Sequence, residues 1–326
     1  MNNVKIAVIG CGKWGMNHVK TAFKLFGEDL KYCSDNSDDS LEKVKAVSDK
    51  IIFTKDLAVL INDTEVNTVI ISTPAETHFE IAKKMLLAGK HVLVEKPITL
   101  NSEDAHILNE LALENNRVLM VGHLLLFHPA ILKIKEFIDE GKLGKLQYIY
   151  SNRLNLGTIR TEENILWSFA PHDISVIQFL VNDIPEEVSA TGAVFLTSEI
   201  QDTTLTNLKF KDNIHAHIFV SWLHPFKEQR LVVIGDKSMM MFEDTLAKDK
   251  LKLYRKGIDM INGQPVKRDS EFESVEFSNE SPLELEQLHF IDCIKNSLTP
   301  RADGRNAIEV LETLERAQSE LIKVSS

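Results

Sequence analysis

The stretch "VKIAVIGCGKWG" (residues 4–15) runs from apolar residues into three glycines, Gly10, Gly12 and Gly15, in the G-x-G-x-x-G spacing. The apolar run suits a strand buried on both faces of a parallel sheet. The glycines suit the turn that follows. Gly10 permits the tight bend, Gly12 lets the backbone approach a pyrophosphate, and Gly15 allows close helix–strand packing. The anion then rests on the positive end of the helix. Lys13 and Trp14 lie in the same turn and are candidate cofactor contacts.

The rhythm continues outward from this start. Further apolar strands read "LKYCS" (30–34), "NTVIIS" (67–72), "HVLVE" (91–95) and "RVLMVG" (117–122), separated by amphipathic stretches such as "THFEIAKKMLLAGK" and "NSEDAHILNELALEN". Strand–helix alternation predicts a doubly wound parallel sheet, an α/β nucleotide-binding domain over residues 1–122. Asp35 stands twenty residues past Gly15, where an acid reaches the adenosine ribose hydroxyls. Asp38 and Asp39 follow it with no Lys or Arg close in sequence, so a 2′-phosphate meets repulsion and NAD is favoured over NADP.

After about residue 123 the rhythm changes. A helix, "PAILKIKEFIDEG", precedes a long strand, "LQYIYSNRLNL", and two helical segments are predicted around "ENILWSFAPHDISVIQFLV". "TTLTNLKF" and "IHAHIFVSW" flank the polar turn Lys211-Asp212-Asn213 as an antiparallel hairpin, and "RLVVIG" and "SMMMFED" extend the sheet. Helices over 282–297 and 303–323 close the chain. Residues 123–326 thus read as an α+β domain with a large, open, mostly antiparallel sheet for substrate binding and oligomerisation, whose last helices can pack back on the first domain. Strands this apolar point to a homodimer or homotetramer through that sheet.

Composition narrows the partners. The formal charge of −11 argues against nucleic acid or an anionic membrane as the main partner. The three cysteines fit neither a disulfide framework nor a zinc pattern, and read as buried thiols of a cytoplasmic protein. No run is long and apolar enough to span a bilayer, and "MNNVKIAVIG" enters a strand without a signal-peptide layout. His215 and His217 share one strand face, but with no third ligand evident no metal site is expected.

The segment "HVLVEKPITL" (91–100) delivers Glu95, Lys96 and Pro97 at the carboxyl end of a buried strand, where open parallel sheets bind ligands. Together "GCGKWGMNH", "ISTPAETH" and "VLVEKPITL" resemble the Gfo/Idh/MocA family of NAD(P)-dependent oxidoreductases, and the resemblance extends through "VGHLLLFHPAI" to the closing helices. It implies that Ser72, Thr73 and Pro74 line the nicotinamide side, with His78 in the same motif. It also implies that Glu95-Lys96-Pro97 is the signature tripeptide, its lysine touching cofactor and substrate and its lysine–proline bond commonly cis. Lys96 is then expected to hydrogen-bond the hydroxyl being oxidised.

Relatives in this family usually carry an Asp and a His four residues apart in the helix matching "WSFAPHDIS". Here His172 matches the histidine, the aspartate position is Ser168, and Asp173 follows the histidine on another side of the helix. His172 is therefore the expected general acid/base, since an ordinary imidazole titrates near neutral pH. Substrate contacts are expected from His123, Asn152, Arg153, Arg160, Trp167, Ser168 and Asp173. Arg153 is a fork for a carboxylate or phosphate. His123, with His128, reads equally as structural, and Trp167 as packing or as a stacking platform.

The run 151–176 resembles the subset of the family found in surface-polysaccharide and nucleotide-sugar pathways, which implies oxidation of a UDP-N-acetylhexosaminuronate at C3. An inositol or aldose dehydrogenase and a ketosugar reductase are the alternatives; an NAD-dependent glycosidase and a non-catalytic NAD-binding protein rank below them.

Overall fold

The computed structural model describes residues 4–324; residues 1–3, which begin the stretch read as entering a strand directly, and 325–326 lie outside it. The chain divides into a unit running up to Phe127 together with Glu280–Leu311, and a second of His128–Asn279 together with the chain from Glu312 on.

In the first unit, strands and helices alternate: β1 (Ile6–Ile9), α1 (Gly15–Phe26), β2 (Leu30–Ser34), α2 (Asp38–Lys45), β3 (Ile52–Thr54), α3 (Leu57–Asn62), β4 (Thr68–Ile71), α4 (His78–Leu87), β5 (His91–Val94), α5 (Ser102–Glu114) and β6 (Leu119–Val121). The strands form a six-stranded sheet in the order β3-β2-β1-β4-β5-β6, parallel throughout. Every residue of β1 and β4 is buried, as sheets covered on both faces require. The strand order reverses between β1 and β4, so their carboxyl ends flank the crevice where such folds bind ligands.

The second unit holds α6 (Pro129–Asp139), β7 (Leu146–Leu156), α7 (Ile165–Val181), β8 (Glu187–Ala193), β9 (Thr203–Lys209), β10 (His215–Ser221), β11 (Leu223–Gly235), β12 (Met239–Glu243), β13 (Leu251–Tyr254), β14 (Gly257–Ile261), β15 (Gln264–Arg268) and β16 (Phe272–Ser274). Its eight-stranded sheet runs β16-β13-β12-β11-β7-β10-β9-β8. The β10–β7 pair is parallel and the other pairs are antiparallel, a mixed and mostly antiparallel sheet. Helix α7 packs on β7, β9 and β10. The hairpin expected at 211–213 joins β9 to β10, with Asp212 and Asn213 at positive φ, a conformation short polar side chains tolerate. The chain closes with α8 (Pro282–Asn296) and α9 (Gly304–Val324).

Two readings need correction. The segments expected around 163–181 are one helix, α7, with Pro171 inside it. Proline removes one hydrogen bond there, but apolar burial along most of the helix and the Asn164 cap, whose side chain accepts from Trp167 N, outweigh that loss. The short strands β3, β8 and β13–β16 were not anticipated. β3, β8 and β16 are edge strands and β14–β15 form a separate hairpin, all with exposed residues that blur the alternation marking a strand, while β13 alternates but spans only four residues.

Helix α8 contributes to the first unit although it lies some 160 residues beyond β6, packing on α1 and on the turn Leu124–Phe127. Phe290 on this helix is fully buried. Phe290→Ala is expected to cost about 3–5 kcal/mol, read as a lower urea midpoint for the transition that also releases NAD.

Candidate active site

In the first unit, the expected cofactor and lysine residues gather where β1, β4, β5 and β6 end. Gly10, Ser72, Glu95 and Gly122 each extend the ladder by one residue: Gly10 N donates to Ser34 O, Ser72 N to Ile9 O, Glu95 N to Ile71 O and Gly122 N to Val94 O. Gly10 has φ +88°, and a Cβ there would stand 2.5 Å from Ser72 O. At Gly15 a Cβ would stand 1.9 Å from Gly10 O, so α1 can start this close to the loop only with glycine. A Cβ at Gly12 meets open space, which leaves its backbone approachable. Helix α1 begins at Gly15 with no acidic side chain in its first turn, leaving the positive end of its dipole available to an anion.

Asp35 closes the nucleotide side. Its carboxylate accepts from Cys11 N at 2.6 Å and Ser37 N at 2.8 Å, which brings the acid after β2 against the glycine loop. The fold does bring one cation to the neighbourhood: Lys55 pairs with Asp38 at 2.6 Å. Cys11, Cys33 and Cys293 are free and buried. An open glycine loop, a helix start without acids and an acid after β2 together form a cradle that fits a dinucleotide.

The reactive side converges on Glu95, whose side chain is 14% exposed. Its Oε1 accepts from Trp14 Nε1 at 2.6 Å and pairs with His18 Nε2 at 2.7 Å, while Oε2 accepts from Lys96 N at 3.2 Å. Burial acts to raise the Glu95 pKa, but the hydrogen bonds from His18 and Trp14 and the nearby Lys96 charge prevail and hold it below the ordinary value. Space for the carboxylate comes from Gly122, where a Cβ would sit 2.9 Å from Oε2.

The Lys96–Pro97 peptide is cis. His78 ties this turn to the preceding one, with Nδ1 2.7 Å from Pro97 O and Nε2 2.9 Å from Thr73 O. Thr77 Oγ1 braces the same turn, donating to Pro74 O and standing 2.7 Å from Thr73 Oγ1. Lys96 is thus carried on a segment fixed from both ends. His123, the residue after Gly122, is 3% exposed, and among the described residues neither ring nitrogen has a hydrogen-bond partner. Burial lowers its pKa to about 4, against the opposing Glu95 charge, so it is neutral at physiological pH.

In the second unit, other expected residues lie on α7 and β7. Ser168 and His172 stand one turn apart on α7, and Ser168 is 5% exposed. Asp173 points at the sheet instead. It accepts from Ser151 Oγ at 2.6 Å and takes a two-point contact from Arg153, Nε at 2.8 Å and Nη2 at 3.1 Å. The guanidinium fork expected to meet an anion is thus occupied by the Asp173 carboxylate. A carboxylate only 4% exposed needs a cation beside it, and the guanidinium is that cation.

Nor does the strand bring Asn152 and Arg153 together. Neighbours on β7 face opposite sides, and Asn152 Nδ2 donates to Glu228 Oε1 at 2.8 Å on the other face. Arg160 pairs with Glu163 at 3.2 Å, and Trp167 Nε1 donates to Gln318 Oε1 at 3.1 Å, fixing the ring to α9. His217 faces Tyr148 and stacks on Tyr150, an aromatic cluster with no carboxylate or thiol in it. His128 accepts from Ala130 N as the cap of α6 and packs on Phe242.

Sequence reasoning passed over His18, Gly122 and Glu286, which lie against Glu95, and Gln287, which holds His18. A signal for the last two existed: they sit on the stripe that buries Leu283, Phe290 and Ile294, positions where a polar side chain demands a reason.

Comparison with known proteins agrees with this geometry. Residues 4–123 match the family described as oxidoreductase family, NAD-binding Rossmann fold, and residues 131–241 match the GFO/IDH/MocA C-terminal domain. The chain is 27% identical over 241 residues to a UDP-N-acetylglucosamine 3-dehydrogenase of Acidithiobacillus ferrooxidans, covering 74% of each protein. It is 26% identical over 313 residues to the scyllo-inositol 2-dehydrogenase (NAD(+)) of Bacillus subtilis, covering 92% of this chain and 88% of that one. A crystal structure of the Acidithiobacillus ferrooxidans enzyme shares the fold, with a TM-score of 0.84 at 23% identity over 97% of both chains. The chain belongs to the Gfo/Idh/MocA family and is an NAD-dependent oxidoreductase.

Two outcomes follow from the packing. Gly15→Ala is expected to weaken NAD binding by at least an order of magnitude, about 1.4 kcal/mol or more, measured by calorimetric titration. Arg153→Ala strands a buried carboxylate, and is expected to lower stability by roughly 3–5 kcal/mol in chemical denaturation, with Asp173→Asn in the same background recovering part of the loss.

Proposed function

We propose that this oxidoreductase transfers a hydride between a hydroxyl-bearing sugar carbon and nicotinamide, with C3 of a UDP-N-acetylhexosaminuronate as the leading substrate. The observation that carries the reaction class is the Glu95-Lys96-Pro97 turn, anchored through Glu95 to the glycine loop and through His78 to the Thr73 turn. The substrate reading is supported by the relative that acts on UDP-N-acetylglucosamine and by the character of the 151–176 run. Arg153 gives it no support, being spent on Asp173; Arg160, 54% exposed, is the guanidinium proposed to meet an anionic substrate.

In this mechanism Gly10, Gly12, Lys13, Trp14, Gly15 and Asp35 hold the dinucleotide, and Ser72, Thr73 and Pro74 border its nicotinamide end. Bound NAD supplies the hydride acceptor. The Lys96 ammonium donates a hydrogen bond to the reacting hydroxyl oxygen and stabilises its developing negative charge. His172 takes the hydroxyl proton, with Ser168 beside it in place of the family's acid. A serine hydroxyl can orient an imidazole but cannot hold its positive charge as a carboxylate does, so Lys96 bears more of the electrostatic work. His123, neutral and buried, is proposed to border the nicotinamide end without adding charge. The subunits are proposed to associate as dimers or tetramers through the open face of the second sheet. Residues 1–122 are proposed as the nucleotide domain and 123–326 as the substrate domain.

A second reading, oxidation of a free inositol, is favoured by the inositol dehydrogenase relative, which aligns over more of the chain. Incubation with NAD and a panel of UDP-sugars and free polyols, following NADH absorbance, separates the two. NADH formed with a UDP-hexuronate is expected, with Lys96→Met and His172→Ala each losing about 10²–10⁴-fold in kcat. Turnover of free polyols alone would replace the leading reading with the second.

A further inference from the structure

Helix α8 carries an acid where a core residue belongs. Glu286 is fully buried, and among the described residues neither of its carboxyl oxygens has a hydrogen-bond partner. Gln287 beside it is 1% exposed and donates through Nε2 to His18 Nδ1 at 3.2 Å and to His18 O at 3.3 Å. With Nδ1 accepting, Nε2–H is the donor that His18 offers to Glu95. Potential ligand atoms of His18, Glu95 and Glu286 lie within 4.8 Å of one another.

Two carboxylates this close, with little water to screen them, cannot both stay ionised without a compensating charge. Glu95 has the donors: Trp14, His18 and Lys96 N. Glu286 has none. The negative charge therefore resides on Glu95, and Glu286 meets its burial by keeping a proton.

We propose that Glu286 is a positioning residue held as the neutral carboxylic acid, which confines the negative charge of this buried cluster to Glu95 and so keeps the Lys96 turn in place. The inference rests on the reading of Lys96 given above. If Glu286 ionised, it would compete for the His18 N–H, and Glu95 would lose one of its donors. The groups facing Glu286 are His18 from α1, Glu95 from the end of β5 and Gln287 on α8 itself; the Lys24–Glu284 pair joins α1 and α8 nearer the surface. Burial pushes the Glu286 pKa well above the ordinary carboxylate value, and the Glu95 charge pushes it the same way.

The test compares wild type with Glu286→Gln and Glu286→Ala. In infrared difference spectra at neutral pH, wild type minus Glu286→Gln is expected to show the C=O stretch of a protonated carboxyl and no lost carboxylate band. A raised folded-state pKa means stability that is present below the ordinary carboxylate pKa and lost as pH rises towards the folded value. Glutamine does not titrate, so the Tm of Glu286→Gln should rise relative to wild type as pH increases from acid to neutral. Both readouts need no substrate, so they stand apart from the substrate reading. For the positioning role, Glu286→Ala should lose roughly 10- to 100-fold in kcat/KM, and Glu286→Gln should restore most of it while removing the alkaline fall of the wild-type profile. A lost carboxylate band, a Tm difference independent of pH, a stoichiometric divalent ion in protein purified without chelator, or a Gln variant as impaired as Ala would each overturn the proposal.

Discussion

The arrangement of the first unit depends on keeping one carboxylate charged while almost all water is removed from it. Glu95 would be costly to bury alone, by several kcal/mol, and the structure offsets that with three donors drawn from three places: the glycine loop, α1 and its own following peptide. Hydrogen bonds to a charged group are worth about 1.5–3 kcal/mol each, so losing one is felt by all the segments they join. The same contacts make the cofactor loop and the lysine turn mechanically one piece. Gly122 belongs to this constraint as much as the donors do, because any side chain there would take the space of the carboxylate.

The second unit solves a similar problem with the opposite outcome. Asp173 is as buried as a core residue, and its charge is matched by a two-point guanidinium and a serine hydroxyl. That pair locks α7 to β7 and thereby holds the helix that carries Ser168 and His172. The acid that most relatives are expected to carry one turn before the histidine is absent at 168, and Asp173, the nearest acid along the helix, points at the sheet.

Much was legible from local pattern. The stretches read as strands at 30–34 and 146–156 match β2 and β7 residue for residue, because both are bounded by turns or helix starts and rich in residues that pack on a pleated surface. The glycine loop was legible because three glycines at fixed spacing after a strand have few other uses. Helix α7 was misread as two segments since proline usually ends a helix, and only the burial on either side of it explains why it continues. The partner of Arg153 was not legible, because residue type shows what a side chain can bind, while the partner it does bind, Asp173, is set by the packing of α7 on the sheet.

The sequence by itself determined the fold class, the family and the positions of the glycine loop, the acid after β2 and the Glu95-Lys96-Pro97 turn, because each depends on residues close together in the chain. Only the tertiary structure decided what surrounds Glu95. His18, Gly122 and the neighbours Glu286 and Gln287 come from three separate segments, the last of them about 190 residues beyond Glu95. Whether a carboxyl keeps its charge depends on the donors and the water within a few ångströms of it, and that neighbourhood exists only once distant segments have packed together.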